Sequence, residues 1–355
     1  MYAEEIDFTT ATLDIHIRPH EIYDPFVDMQ ELQNAPQSSS ASRKPVYDMR
    51  RGGKEAEEFR THLTTWANEF FLRQQRTSLL QLIICGQYAR FVRWDRQAAI
   101  VTERFNYRED PQPLAEFIWR FSHLTPIQRG WDATASLANQ KEARAFKNAI
   151  RQFLEKLDSI EPDGRPHLKL PAACRTLRMK RLCFSVWKIQ IKDEHTHRTT
   201  RIVVGRPFAG GLSETCGRAT RAYLAYDLNT KKVCFFKDCW RYKKQGFLSE
   251  ADTYHKLQAA SVRHMPTVMY AGDVWCPQSQ EVQTTKTCLM AAYMPQQSGK
   301  ILRSTKYHHR IVQEVVYPLE EARDERELVQ ALHDAVICTF LECIFYSVLA
   351  HHCVF

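Results

Sequence analysis

The feature that most constrains the fold is a series of three β-rich segments followed by a helix-like segment. The β-rich segments are residues 201–204, 221–226 and 233–236, and the helix-like segment begins at residue 249. Glycine-containing turns separate the first two segments, and residues 227–232 form a hairpin loop before the third. Short apolar runs joined by such turns predict an antiparallel sheet with a helix after its third strand.

The turn before the second of these strands has the composition of a phosphate-binding loop. It reads GRATR, with one glycine and two cations over residues 217–221. Backbone amides can meet phosphate oxygens where a glycine removes the side chain, and a cation nearby adds attraction. Neither a G-x-G-x-x-G nor a Walker sequence is present, so an ordinary hairpin turn is the alternative interpretation.

Lys237 and Glu250 are the candidate charged pair of this series. Lys237 ends the apolar run VCFFK, where strand alternation places it on the same face as Val233 and Phe235. On an inward face the ammonium needs an anion, whereas on the surface its stem lies along apolar neighbours. Glu250 begins the run EADTYHKLQAA, with Ser249 as predicted N-cap, so it either meets Lys237 or only favours the helix N-terminus.

The amino-terminal part of the chain predicts a separate α+β domain behind a flexible segment. Residues 34–44 read NAPQSSSASRK and have no periodicity, so residues 1–54 are expected to be a flexible arm and linker. Residues 55–165 contain patterns of helices and strands. The helices are predicted over 55–73, 114–124 and 141–160, and the strands lie between 78 and 105 with a tight turn at RWDRQ.

Charge and cysteine usage limit the partners and the compartment. The net charge of +8 is spread over scattered residues without an aromatic platform, so no nucleic-acid partner is expected. The 11 cysteines form no C-x-x-C pair and follow no signal peptide, which favours reduced thiols and an intracellular location. Histidine pairs such as His308-His309 lack the spaced companions of a zinc site, so no metal ligand is assigned.

The apolar segment 335–355 raises the alternative of a C-terminal membrane anchor. Glu342 is its only formal charge, and about 20 apolar residues can span a bilayer. A carboxylate near the middle of such a helix costs roughly 2 to 3 kcal/mol on insertion, which favours a buried helix instead.

Several stretches in the same order make the chain resemble the fungal-type protein kinase family, a divergent branch of the protein-kinase-like fold. The resemblance covers residues 55–336. It depends on GQYARFVRWDRQAAIVTERFNY (86–107), RGWDAT (129–134), VGRPF (204–208), GRATRAYLAYD (217–227), FFKDCWR (235–241), SEADTYHKL (249–257), HHRIVQEVVYPLEE (308–321) and RELVQALHDAV (326–336).

This resemblance implies an architecture and an ATP site. Residues 166–320 would form an N-lobe of antiparallel sheet and helix αC, and residues 321–355 would begin the helical C-lobe with its hydrophobic tail. The glycine turn would cover the phosphates, Lys237 would contact the α- and β-phosphates with Glu250 as its partner, and the hinge would receive adenine. The implied binding residues are Gly217, Arg218, Ala219, Thr220, Arg221, Lys237, Glu250, Glu314 and Val316, with Val312 near the back of the pocket.

The chain departs from the family pattern at the residues that perform catalysis. Family members need an H-R-D loop with its Asp and Asn, and then a D-F-G whose Asp holds magnesium. Neither motif follows the helix at 326–336, and Cys353 of HHC stands near the position where the catalytic Asp is expected. No catalytic residue and no magnesium ligand is therefore assigned, and we expect weak ATP binding without phosphoryl transfer.

A non-catalytic binding or scaffold module is the alternative function. In that case the amino-terminal domain would engage a protein partner, and Lys237 and Glu250 would be only a structural ion pair.

Overall fold

The computed structural model has a mixed α+β fold with two β-sheets and five α-helices in the residues that it describes. Those residues are Phe8 together with residues 11–28, 30–31, 49–157, 185–207, 209–210, 216–243, 248–262, 265–287, 305–315 and 324–345. The expected linker at 34–44 and the last ten residues of the apolar tail lie outside them.

The secondary structure follows the predicted order. The helices are α1 (Lys54–Arg73), α2 (Gln112–His123), α3 (Gln140–Leu157), α4 (Glu250–Ala259) and α5 (Glu325–Phe345). The strands are β1 (Asp14–Arg18), β2 (Ser78–Cys85), β3 (Tyr88–Asp95), β4 (Ala99–Val101), β5 (Phe105–Asn106), β6 (Ala135–Leu137), β7 (Trp187–Lys192), β8 (Thr199–Val204), β9 (Ala209–Gly210), β10 (Arg221–Asp227), β11 (Val233–Tyr242), β12 (Val268–Asp273) and β13 (Lys306–Gln313).

The first sheet has five strands, and α1 packs against it. Its strands lie in the order β1-β2-β3-β4, with β5 also paired to β3. The apolar stripe predicted for α1 is buried: Phe59, Leu63 and Phe70 join Leu79 and Val92 of the sheet in one core cluster. The turn predicted at RWDRQ is confirmed, because β3 ends at Asp95 and β4 begins at Ala99.

Strand β1 corrects the expectation that residues 1–54 form only a flexible arm. It pairs in parallel with β2, from Asp14 beside Gln81 to Arg18 beside Cys85. Alternate side chains of β1 are buried and exposed, which fits a strand with one face on a core. The pairing partner is more than 60 residues away in sequence, so local composition did not indicate it.

The second sheet is antiparallel throughout its described pairs, as predicted for residues 199–257. Its order is β12-β13-β11-β10-β8-β7-β6, and β9 pairs with β10. The sheet curls so that β12, at one end of the strand order, meets the turn after β7. Ala271 N–H donates to Asp193 Oδ2 (3.0 Å), and Glu194 N–H donates to Ala271 O (2.8 Å). The curled sheet encloses a core that includes Trp187, Ile202, Tyr223, Phe236 and Val312.

The division between the sheets differs from the domain boundary expected at residue 165. Strand β6 belongs to the second sheet, where Ala135 to Leu137 pair with β7. Helix α3 also packs on that sheet, with Phe146 buried against Val203 and Tyr226. The apolar stripe of α3 was recognised in the sequence, but a helical period does not indicate which sheet the stripe covers.

Gly130 joins the first sheet to the segment that leads into β6. Its carbonyl accepts from Thr77 N–H (2.8 Å), and its own N–H donates to Ile127 O (2.9 Å). Its φ of +93° is one that L-residues rarely adopt, and a Cβ there would stand 2.1 Å from Ser78 O. The family stretch RGWDAT therefore contains a position that only glycine fits.

We expect Gly130→Ala to lower the free energy of unfolding by roughly 2 to 4 kcal/mol, because the substitution combines a strained φ with a clash against backbone. Urea unfolding of the full chain measures the change. Gly52→Ala is the matched control, since nothing lies within 4 Å of a Cβ at Gly52. Equal unfolding midpoints for the two variants would contradict this account of Gly130.

Candidate functional site

The structure brings Lys237 of β11 and Glu250 of α4 together as an ion pair. Lys237 Nζ lies 2.8 Å from each carboxylate oxygen of Glu250. About a quarter of each side chain is exposed, at 24% and 29%, so a ligand can still reach the pair. Lys237 shares its face of β11 with Val233 and Phe235, which are also half-buried, as strand alternation predicts.

Local chemistry at the start of α4 fixes the position of Glu250. Ser249 Oγ accepts from Asp252 N–H (2.9 Å), and Asp252 Oδ2 accepts from Ser249 N–H (3.2 Å). This reciprocal capping box confirms the predicted N-cap and sets the first residue of the helix. Glu250 is that first residue, so its side chain projects towards β11 from a defined backbone position.

The residues after Gly217 lie beside β11 and add a second cation to the site. We call residues 217–220 the glycine turn. Gly217 has a φ of +123° and Ala219 a φ of +44°, and Trp240 N–H donates to Arg218 O (2.8 Å). Arg218 Nη2 stands 3.8 Å from Glu250 Oε2, and two thirds of its side chain is exposed. Thr220, the last residue of the glycine turn, is half-buried and directly precedes β10.

Lys237, Arg218 and Glu250 together leave an excess of positive charge at a partly exposed surface. Two cations face one carboxylate, so the group attracts an additional anion. Because residue 217 is glycine, no side chain covers its backbone beside these cations. The arrangement is chemically suited to phosphate oxygens.

Arg221 does not join this group. It is the first residue of β10 and is paired in register with Asp238, while its neighbour Ala222 is paired with Lys237. Its guanidinium donates to Asp238 Oδ2 (2.6 Å) and to Phe71 O (2.9 Å) in the interior. The structure therefore places Arg221 on the face of the sheet opposite to Lys237, whereas the resemblance grouped it with the phosphate turn.

The residues implied for the hinge are only partly described. Glu314 follows β13 and links to the start of β12: its N–H donates to Thr267 O (3.0 Å), and its Oε1 accepts from Thr267 N–H (2.7 Å). Val316 lies outside the described residues. Val312 is fully buried in the core of the second sheet.

A buried polar network on the inner face of β11 is the largest feature that sequence reasoning missed. Asp238 accepts from Arg221 (2.6 Å) and is bonded to His308 Nε2. Arg310 donates to Asp132, which also accepts from Gln283 Nε2 (2.7 Å). Two carboxylates thus balance two guanidinium groups in the interior, where an unpaired charge would cost several kcal/mol. Gln283 joins the two halves of the network, because it is bonded to both His308 and Asp132, and Thr134 is bonded to Arg310.

This network changes the pKa values of its members. Burial would raise the pKa of Asp132, but Arg310, His308 and hydrogen bonds from Gln283 and Thr134 lower it to about 2. Burial opposes ionisation of Asp238 as well, yet its neighbouring cations hold its pKa well below the usual range. Burial lowers the pKa of His308 from its ordinary 6.5 and outweighs the attraction of Asp238.

The sequence of β11 contains one indication of this network, because two adjacent strand residues are charged. In KDCW two adjacent residues are charged, and adjacent residues of a strand face opposite sides. One of the two therefore had to lie on the buried face of the sheet and needed a partner of opposite charge, and HHR of β13 offered cations for Asp238. The sequence did not indicate which cation of β10 or β13 would be that partner.

The described residues also bear on metal binding, thiol reactivity and membrane insertion. No group of three or more His, Cys, Asp and Glu side chains there has the arrangement of a metal site. The described cysteines are free thiols, and burial raises the pKa of Cys85, Cys234 and Cys239 to about 12, which makes them poor nucleophiles. No helix there combines the length and apolar character needed to cross a bilayer.

Comparison with known proteins places the chain in one family. A family model described as Fungal protein kinase matches residues 44–340, which is most of the chain. No curated protein and no solved structure matches it.

We expect the free energy of unfolding to fall as the pH is lowered from 7 to 5. His308 is buried with a pKa below 6.5, so below that pH the unfolded chain binds a proton that the folded chain excludes. One such proton contributes at most about 1.4 kcal/mol per pH unit. In urea unfolding at pH 7, 6 and 5, His308→Gln should show a shallower dependence than the unsubstituted chain.

His333→Gln is the matched control, because His333 lies exposed on α5. Its pH dependence should equal that of the unsubstituted chain. Equal slopes for all three proteins would contradict a lowered pKa of His308 in the folded chain.

Proposed function

The chain belongs to the fungal protein kinase family, and we propose that its second sheet and α4 form a kinase-like N-lobe that binds ATP. The observation that carries the proposal is the Lys237–Glu250 pair, held at 2.8 Å between a central strand and the helix that follows it. Kinases place a lysine of one strand against a glutamate of helix αC in this way, and the lysine contacts the α- and β-phosphates.

The residues around the pair fit a polyphosphate. Lys237 and Arg218 offer two cations against the single charge of Glu250, and both remain accessible to solvent. Gly217, next to Arg218, adds no side chain that would block a phosphate. In this proposal Lys237 binds phosphate oxygens, Glu250 orients Lys237, and Gly217 to Thr220 cover the phosphates. Bound ATP would supply the polyphosphate whose negative charge these two cations offset.

Adenine is assigned to residues 314–316, including Glu314 and Val316, which follow β13. Strand β13 pairs with β11 along its whole length, from Lys306 beside Tyr242 to Gln313 beside Phe235. Ile311 of β13 lies beside Lys237, and β13 ends two residue pairs farther on, at Gln313. Residues that follow Gln313 are therefore suitably placed for the base of a nucleotide whose phosphates reach Lys237.

Magnesium does not fit the residues that are present. A kinase holds the ion through the Asp of D-F-G and the Asn of the catalytic loop. These 355 residues contain neither an H-R-D nor a D-F-G sequence, and the described part of the chain has no cluster of metal-ligating side chains. We therefore propose that these residues bind a nucleotide without transferring its phosphoryl group.

A scaffold function is the second candidate, and one observation favours it. Both Glu250 oxygens are already bonded to Lys237, so the pair is satisfied without a ligand. In this alternative the first sheet and its helices engage a protein partner, and the second sheet is only structural. The proposed location is intracellular in either case, in keeping with the free thiols of the described cysteines.

We expect ATP with magnesium chloride to raise the melting temperature of the full chain, because a ligand that binds only the folded state stabilises it. At about 100 times its dissociation constant the rise should be roughly 3 to 8 °C. Lys237→Met should abolish the rise. Lys232→Met, on the exposed hairpin before β11, is the matched control and should retain it.

If the second sheet is only structural, ATP with magnesium chloride should not raise the melting temperature of the unsubstituted chain or of either variant. A rise that persists in Lys237→Met would mean that the nucleotide binds elsewhere. Phosphorylation of a generic substrate by the purified chain, lost in Lys237→Met, would contradict the proposed absence of transfer.

A further inference from the structure

The turn between β3 and β4 of the first sheet contacts the glycine turn of the second. We call residues 95–98 the docking turn. Gly217 N–H donates to Arg96 O (3.0 Å), and Cys216 Sγ lies 3.6 Å from Asp95 O. A backbone hydrogen bond therefore joins a loop of one sheet to the candidate phosphate-binding loop of the other.

Lys306 at the start of β13 strengthens this junction. Its ammonium donates to Arg96 O (3.0 Å) and to Gly217 O (2.6 Å), so it bridges the two turns. The residue is only 3% exposed. Burial of an ammonium is unfavourable unless acceptors surround it, so these carbonyl contacts determine where the two turns can lie.

The docking turn is itself held by the segment between β12 and β13 and by α1. Asp95 Oδ2 accepts from Lys286 N–H and Thr287 N–H, each at 2.9 Å. Thr285 Oγ1 donates to Gln97 Oε1 (2.8 Å). The guanidinium of Arg96 lies 4.0 Å above the Phe71 ring near the end of α1. The turn cannot shift without breaking several of these contacts together.

Hydrogen bonds on both sides restrain the backbone of Arg218 in the glycine turn. Gly217 is bonded to Arg96 and Lys306 on one side of Arg218, and the Arg218 carbonyl is bonded to Trp240 N–H on the other. A phosphate-binding loop that is ordered before its ligand arrives loses less conformational entropy on binding. The docking turn is thus in a position to raise the affinity of the loop.

We propose that the docking turn and Lys306 position the glycine turn, so that the affinity of the second sheet for nucleotide depends on a loop of the first sheet. The inference rests on the proposed nucleotide function. Its structural half, the restraint on Gly217, can be measured without any nucleotide.

Two measurements on the full chain test the inference. Amide hydrogen exchange reports the restraint on residues 216–221, and calorimetric titration with ATP and magnesium chloride reports affinity. In Lys306→Met we expect exchange at Gly217 to rise at least 10-fold and the dissociation constant to rise about 3- to 10-fold, the effect on the glycine turn of losing the hydrogen bond that Lys306 donates to Gly217 O. Lys286→Met is the matched control, because its side chain is exposed and only its backbone contacts the docking turn.

A second variant guards against misfolding of Lys306→Met. Gln97→Ala removes the contact with Thr285 from a half-buried position and should change both quantities in the same direction by a smaller factor. The inference would be overturned if amide exchange at Gly217 in both variants were as slow as in the Lys286→Met control. Faster exchange with unchanged affinity would overturn the role in nucleotide binding.

Failure of the proposed function has a different signature. If the unsubstituted chain binds no ATP, the nucleotide proposal and the dependence of affinity fail together. Exchange at Gly217 still decides whether the docking turn restrains the glycine turn.

Discussion

The arrangement of the molecule depends on two adjacent charged residues at the middle of β11. Lys237 and Asp238 point to opposite faces of one strand, and each requires a partner of opposite charge. Glu250 meets Lys237 on the outer face, which ties α4 to the sheet. Arg221 and His308 meet Asp238 on the inner face, which fixes the register of β10 and β13 beside β11. One strand thereby sets both the candidate site and the interior that supports it.

The inner network also connects the two sheets. Arg221 reaches the Phe71 carbonyl at the end of α1 (2.9 Å), and Arg310 reaches Asp132 in the segment between α2 and β6. Breaking a buried ion pair on one side leaves an uncompensated charge and costs about 3 to 5 kcal/mol. Helix α1 and the segment before β6 therefore contribute polar groups that bond the buried arginines of the second sheet.

Local patterns predicted much of the fold and part of the site. The stripe of α1, the hairpin at RWDRQ, the N-cap Ser249 and the three strands before Lys237 follow from period and turn chemistry alone. The meeting of Lys237 with Glu250 was expected from the resemblance. Strand β1 was missed because its pairing is parallel and distant in sequence. The resemblance grouped Arg221 with the phosphate turn, whereas the register of β10 places its guanidinium in the interior beside Asp238.

The central claim is that Lys237 stands in a nucleotide-binding site, and an acyl-phosphate analogue of ATP tests it most directly. Such a reagent acylates a lysine held beside the phosphates, and mass spectrometry identifies the lysine that is modified. We predict that Lys237 is labelled first and that excess ATP protects it. Labelling spread over exposed lysines such as Lys232, with no protection of Lys237 by ATP, would contradict the claim.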